Sequence, residues 1–100
     1  MKTTNENEKI YIYPSENISS EFFQSIEDEV SKLPKLSKII INFKDISYIN
    51  SESLSDFSKF IIIMLSKKIK IEVCDVNSNL MNIFNITCLD RIVKIKSSTS

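Results

Sequence analysis

Strand patterns and helix patterns alternate along this chain of 100 residues, and the alternation limits its fold more than any other feature. Lys9–Tyr13 carries isoleucine at every second position, which is the period of a strand, and Pro14 ends the pattern because proline has no amide donor. Residues 38–43 contain three consecutive isoleucines, as in a strand buried on both faces. Residues 69–76 alternate again. The pattern therefore predicts at least three strands.

Two of the segments between and after these strands have helical spacing with cap residues at their starts. The first is preceded by Ser19 and Ser20, either of which can cap a helix, and Pro34 ends it. The last begins after Asn77 or Ser78 and is short. The apolar residues that define these two helices are Phe22, Phe23, Ile26, Val30, Leu33, Leu80, Met81 and Phe84.

The middle helix is more apolar than the other two. It follows Asn50 and Ser51, both good N-caps, and carries a predicted buried stripe. That stripe consists of Leu54, Phe57, Ile61 and Leu65. Phe60, Ile62 and Ile63 extend the apolar surface beyond one face, so this helix is either deeply buried or offers an apolar surface to a partner.

Alternating strands and helices require crossover connections and therefore parallel strand pairs. Right-handed crossovers place the helices mainly on one face of so small a sheet. We therefore expect an α/β domain, a single-layer mixed four-stranded sheet with helices mainly on one face. The domain should span residues 9–95, between polar tails at 1–8 and 96–100 that are predicted to be disordered. The predicted core consists of Ile10, Ile12, Phe23, Ile26, Val30, Ile39, Ile41, Leu54, Ile61, Ile71, Val73, Leu80, Phe84 and Leu89.

Composition argues against several classes of function. The chain has no glycine and no histidine, so glycine-rich phosphate loops and histidine chemistry are absent. Thirteen basic and thirteen acidic residues give a net charge of zero, which argues against nucleic acid as a partner. Cys74 and Cys88 lack metal-ligand spacing, lie among apolar neighbours and indicate reduced, buried thiols. No nucleophile is paired with a base, so we expect no enzymatic activity, cofactor or metal.

The sequence also predicts a cytoplasmic protein without direct membrane insertion. The first eight residues contain no apolar segment of the kind found in secretory signals. The longest apolar run, residues 60–65, is far shorter than the roughly 20 residues of a membrane span.

Residues 40–57, IINFKDISYINSESLSDF, resemble the central signature of STAS domains, the fold of anti-sigma factor antagonists. That signature is a strand ending in an acid, then apolar residues, then Asp-Ser-Ser/Thr-Gly-Leu-Gly. Asn42 takes the place of the strand-end acid, Asn50 that of the Asp, and Ser53 that of the first glycine. Residues 80–92 resemble the closing helix of the family and its Gly-Leu-Asp turn, with Cys88 in the glycine position before Leu89.

The resemblance implies a bacterial regulatory binding module whose helix-start serine is phosphorylated by a partner kinase; here that serine is Ser51. A phosphate at a helix start gains hydrogen bonds from free amides and adds negative charge to the binding surface. The expected partner-binding residues are Asn50, Ser51, Glu52, Ser55, Asp56 and Lys59. Four of these, at positions 52, 55, 56 and 59, share one side of a helix. Glu52, however, would repel a phosphate on Ser51.

Three functions remain open at this point. The first is partner switching, in which the protein binds a serine kinase/anti-sigma factor and releases a sigma factor. The second is an accessory subunit on the nucleotide-binding subunit of a lipid-transporting ABC complex, without phosphorylation. The altered residues Asn50 and Glu52 keep that alternative open. The third, an enzyme using Asp45, Asp56 or Asp75, is weak because these acids have no credible catalytic partner.

Overall fold

The computed structural model describes residues 2–6, 8–15 and 18–97. In chain order the elements are β1 (Lys2–Glu6), β2 (Lys9–Tyr13), α1 (Ser20–Ser31), β3 (Lys38–Asn42), α2 (Ser51–Ser66), β4 (Lys70–Val76), α3 (Ser78–Ile86), a 3₁₀ turn (Leu89–Arg91) and β5 (Lys94–Ser97).

The strands form one sheet in the order β1-β2-β3-β4-β5. Strands β2 to β5 pair in parallel, while β1 pairs antiparallel with β2. The four predicted strands are thus β2 to β5, and the sheet is mixed, as expected. The additional strand β1 lies in the segment predicted to be a disordered tail, and β5 continues through Ser97 into the other predicted tail. The remaining tail positions 1, 7 and 98–100 lie outside the described residues.

The sequence did not predict strand β1, and the physical reason is simple. Its sequence, KTTNE, has no alternating apolar residues, so hydrophobic periodicity cannot reveal it. β1 pairs with the open edge of β2, where the backbone N–H and C=O groups of an edge strand can hydrogen-bond to an extended segment. Glu8 makes the tight connection, with a left-handed φ of 66°.

Burial alternates along β2 and β3 because the helices cover one face of the sheet. Ile39 and Ile41 are completely buried, whereas Ile40 between them is half-buried on the other face. The prediction that β3 is buried on both faces was therefore wrong for Ile40. Its neighbours in the adjacent strands are Tyr11 and Glu72, not further aliphatic side chains.

Five phenylalanines from three helices and one loop form the centre of the core. Phe57 of α2 lies among them, 5.5 Å from Phe23 and 6.0 Å from Phe84 between ring centroids. All predicted core residues are buried except Leu54, which is half-buried against the core. The buried face of α2 runs through Ser53, Phe57, Phe60, Ile61 and Met64. The predicted stripe was therefore slightly rotated, and Leu65 is exposed.

Candidate functional site

The start of α2 is fixed by Asn50. The Asn50 side-chain oxygen accepts a hydrogen bond from the Ser53 amide at 2.8 Å, while its carbonyl accepts the Leu54 amide at 2.9 Å. Asn50 is therefore the N-cap, and Ser51 is the first residue of the helix. Glu52 follows in the first turn, where the helix dipole favours negative charge.

Ser53 connects this helix start to the rest of the molecule. It is one of the few buried polar residues, and its hydroxyl donates a hydrogen bond to the Ile18 carbonyl in the loop before α1. The family resemblance gives Ser53 only a glycine position and does not reveal this contact. A serine in a glycine position was the available signal, because its hydroxyl needs a partner once buried.

Asparagines also connect the loops at the carboxyl ends of the strands. Asn42, at the end of β3, donates to the Asp75 carboxylate at 2.7 Å across to β4. Asn77 caps α3 and donates to the Ile46 carbonyl at 3.2 Å in the segment leading to α2. The segment leading to α2 is thus held by the Asn77 side chain, and the first turn of α2 is held to the loop before α1 by the Ser53 hydroxyl. Asn42, which takes the place of the strand-end acid of the signature, thus donates a hydrogen bond to a carboxylate that Asp75 of the neighbouring strand supplies.

The predicted partner-binding residues lie together at the solvent side of this helix. Asn50 is exposed, and so are Ser51, Glu52, Ser55 and Lys59, four of the five residues expected to be exposed. Asp56 differs, because it is half-buried. The structure therefore places all of them on one accessible surface, with Asp56 at its margin.

Exposed apolar side chains continue this surface. Ile62 and Ile63, in the later turns of α2, are 65% and 38% exposed, while Phe60 is buried. α2 is thus buried on one side and leaves apolar side chains exposed on the other. Tyr48, two residues before the cap, is 65% exposed. The exposure of Tyr48 was not predicted from the sequence.

The two cysteines occupy different environments. Burial, followed by the negative charges of Asp75 and Glu72, raises the pKa of the Cys74 thiol and disfavours a nucleophilic thiolate. Cys88 is exposed, so the prediction of a buried thiol was wrong there. Within the described residues, no three His, Cys, Asp or Glu side chains are grouped to hold a metal ion. No described helix is both long and apolar enough to cross a membrane.

Comparison with known proteins agrees with this geometry. Residues 5–100 match the family model of the STAS domain. The crystal structure of TM1081 from Thermotoga maritima, described as a candidate anti-sigma factor antagonist, superposes with a TM-score of 0.78 at 20% identity, covering 96% of this chain and 85% of that one. An NMR structure of TM1081 gives a TM-score of 0.81 at 23% identity, covering 96% and 79%. No protein among curated sequences matches the chain significantly.

Proposed function

Because the chain belongs to the STAS domain family, we propose that it is a non-enzymatic cytoplasmic regulator that binds a serine kinase/anti-sigma factor. The observation that carries the proposal is the exposed strip of α2, which we call the docking strip. It consists of Glu52, Ser55, Asp56, Lys59, Ile62 and Ile63. Its first half is polar and its second half apolar, the combination of charged specificity and apolar contact that protein interfaces use.

Ser51 is the proposed phosphoacceptor at the end of this strip. Its side chain is exposed at the first position of the helix, where backbone amides lack intrahelical acceptors. A phosphate there is stabilised by those amides and by the helix dipole, so modification leaves the fold intact. It also adds a charge of about −1.5 to −2 beside Glu52, which changes the charge that the partner meets.

The direct experiment is to incubate the protein with its cognate kinase and ATP and to locate the phosphate by mass spectrometry. We expect phosphate on Ser51. Ser51→Ala should still bind the kinase, because alanine removes no part of the Asn50 cap, while Ser51→Asp should bind it more weakly. Ser78→Asp is the matched control, since Ser78 is the exposed first residue of α3 behind the Asn77 cap. Equal weakening by both aspartates would contradict a role for Ser51.

Charge reversal tests the strip separately from the serine. Asp56→Lys should weaken the complex and leave the unfolding midpoint nearly unchanged, as surface changes usually do. Asp28→Lys, on the exposed side of α1, provides a charge-matched control away from the strip. Loss of folding together with binding in Asp56→Lys would show that its half-buried side chain serves the fold.

Glu52 supports a second candidate, the accessory subunit of a lipid-transporting ABC complex. It places a constitutive negative charge next to Ser51, and the neutral Asn50 replaces the acid of the family signature. Both changes disfavour a phosphate switch while leaving the docking strip available. Binding to an ABC nucleotide-binding subunit, unaffected by ATP and a competent kinase, would favour this function over the first.

A further inference from the structure

The face of the sheet that the helices leave uncovered carries a row of lysines. Lys9 is the register partner of Lys38, and Lys38 is the partner of Lys70, so three positive side chains lie in adjacent positions across β2, β3 and β4. Like charges directly opposite each other destabilise strand pairing. Sheet stability alone therefore gives no reason for this row.

A buried carboxylate lies close to one lysine of this row and to two lysines of β5. Glu72 of β4 is only 8% exposed, and its Oε1 lies 3.6 Å from Nζ of Lys38, 3.8 Å from Nζ of Lys94 and 3.7 Å from Nζ of Lys96. One carboxylate neutralises one of the three ammonium groups, so the group keeps a charge of +2. The Lys94 and Lys96 side chains are more than half exposed and so lie on the solvent side of the carboxylate.

These lysines line a shallow depression, which we call the lysine trough. Its volume is about 470 Å³, within the range of small-molecule sites. Tyr11 and Tyr13 line it on the β2 side, and Ile40 lies between them and Glu72 in the sheet. The trough thus combines a compact positive charge with aromatic and aliphatic surface a short distance away.

We propose that the lysine trough binds a small organic phosphate monoester. The phosphate lies among Lys38, Lys94 and Lys96, and the organic part lies against Tyr11 and Ile40. A phosphate monoester carries about −1.5 to −2 charges near neutral pH, which matches the net charge of the lysine group. The three ammonium groups surround Glu72 Oε1 within 4 Å, so a phosphate on their solvent side would meet one compact group of net positive charge, which favours a single compact anion over an extended chain of charges.

The same charges disfavour one simple alternative. A dimer whose twofold axis passes through the lysine group would bring two groups of net positive charge together, and their repulsion disfavours it. The trough also lies on the face of the sheet opposite the helices. The proposal is therefore independent of the docking strip and of Ser51.

The experiment is an amide NMR titration of the full chain with phenyl phosphate, and separately with inorganic phosphate, near neutral pH. We expect saturable shifts at Lys38, Glu72 and Lys94, tighter binding of phenyl phosphate than of inorganic phosphate, and shifts of Tyr11 with phenyl phosphate alone. Binding should weaken as the pH falls through about 6, where the monoester becomes a monoanion.

Paired variants locate the site. The double variant Lys94→Gln/Lys96→Gln should weaken phenyl phosphate binding at least about fivefold, because two of the ion pairs are lost. Lys32→Gln/Lys67→Gln removes the same charge from exposed helix ends and should leave the affinity unchanged. Lys38→Gln gives a second test from the centre of the sheet if the double variant loses its fold.

Three outcomes would overturn the proposal. The first is non-saturable shifts spread over lysines throughout the surface. The second is equal weakening in the two double variants, which would indicate general charge attraction. The third is tighter binding of a polyglutamate peptide or an oligonucleotide than of phenyl phosphate at the same amides, which would identify a macromolecular partner.

Discussion

The end of α2 allows a sharp test of backbone strain, because a lysine occupies a position that usually belongs to glycine. Lys68 has a left-handed φ of 63°, while the preceding Lys67 has a φ of −91°. The Lys68 amide donates to the Leu65 carbonyl at 2.9 Å, and the Ile69 amide donates to the Met64 carbonyl at 3.0 Å. This pair of bonds is the Schellman motif, whose left-handed residue is most often glycine.

Replacing Lys68 by glycine should therefore stabilise the protein. The left-handed conformation costs an L-residue about 1–2 kcal/mol, and glycine adds about 0.5–1 kcal/mol of unfolded-state entropy, so the net gain is about 0.5–1 kcal/mol. Lys68 is exposed and belongs to no ion pair among the described residues, so no side-chain contact offsets the gain. For a domain of this size the melting temperature should rise by about 2–8 °C.

The assay is thermal and urea unfolding followed by far-UV circular dichroism. Lys67→Gly is the control, because it removes the same charge one residue earlier, where φ is negative and glycine brings only its entropy cost. We expect Lys67→Gly to lower the melting temperature and Lys68→Gly to raise it. A change of the same sign in both variants would refute the argument from backbone conformation.

Three further experiments test other contacts. Ser53→Ala should lower the free energy of unfolding by about 1–2 kcal/mol, measured in urea, because it leaves the Ile18 carbonyl without its buried donor. Thiol labelling of the native protein near neutral pH should modify Cys88 much faster than Cys74, because the raised pKa of Cys74 lowers its thiolate fraction, and equal rates would contradict its burial. Glu72→Gln should lower the melting temperature, and added salt should recover part of the loss by screening the uncompensated lysines.

Hydrophobic periodicity predicted the parallel part of this fold because each element buries one face. It located α2 but placed its apolar stripe slightly wrong, since the helix is apolar over more than one face. Leu54 and Leu65 fit a helical period as well as Phe60 and Met64 do. Only packing against the other phenylalanines distinguishes them, and that information lies in distant segments.

The candidate site, like the fold, was predictable only in part. The sequence predicted Ser51 at a helix start because asparagine and serine are preferred N-cap residues and an apolar helical stripe follows them. The exposure of Tyr48 and the Asn42–Asp75 hydrogen bond could not be predicted. The hydrogen bond depends on which strands pair side by side, and the exposure of Tyr48 depends on how its loop packs against the rest of the chain. The lysine group around Glu72 was hidden for the same reason, since Lys38 lies in β3, Glu72 in β4, and Lys94 and Lys96 in β5.

The loss of every glycine from the family signature leaves the backbone of the fold in place. Cys88, which takes the glycine position of the closing turn, has a left-handed φ of 62°, so the conformation that usually requires glycine is kept at some cost in strain. Ser53 takes another glycine position, and there the added side chain forms a buried hydrogen bond to Ile18. The glycines of the signature are thus not needed to specify the fold. The buried faces of the strands and helices determine it, and the turns adopt the conformations that this packing requires.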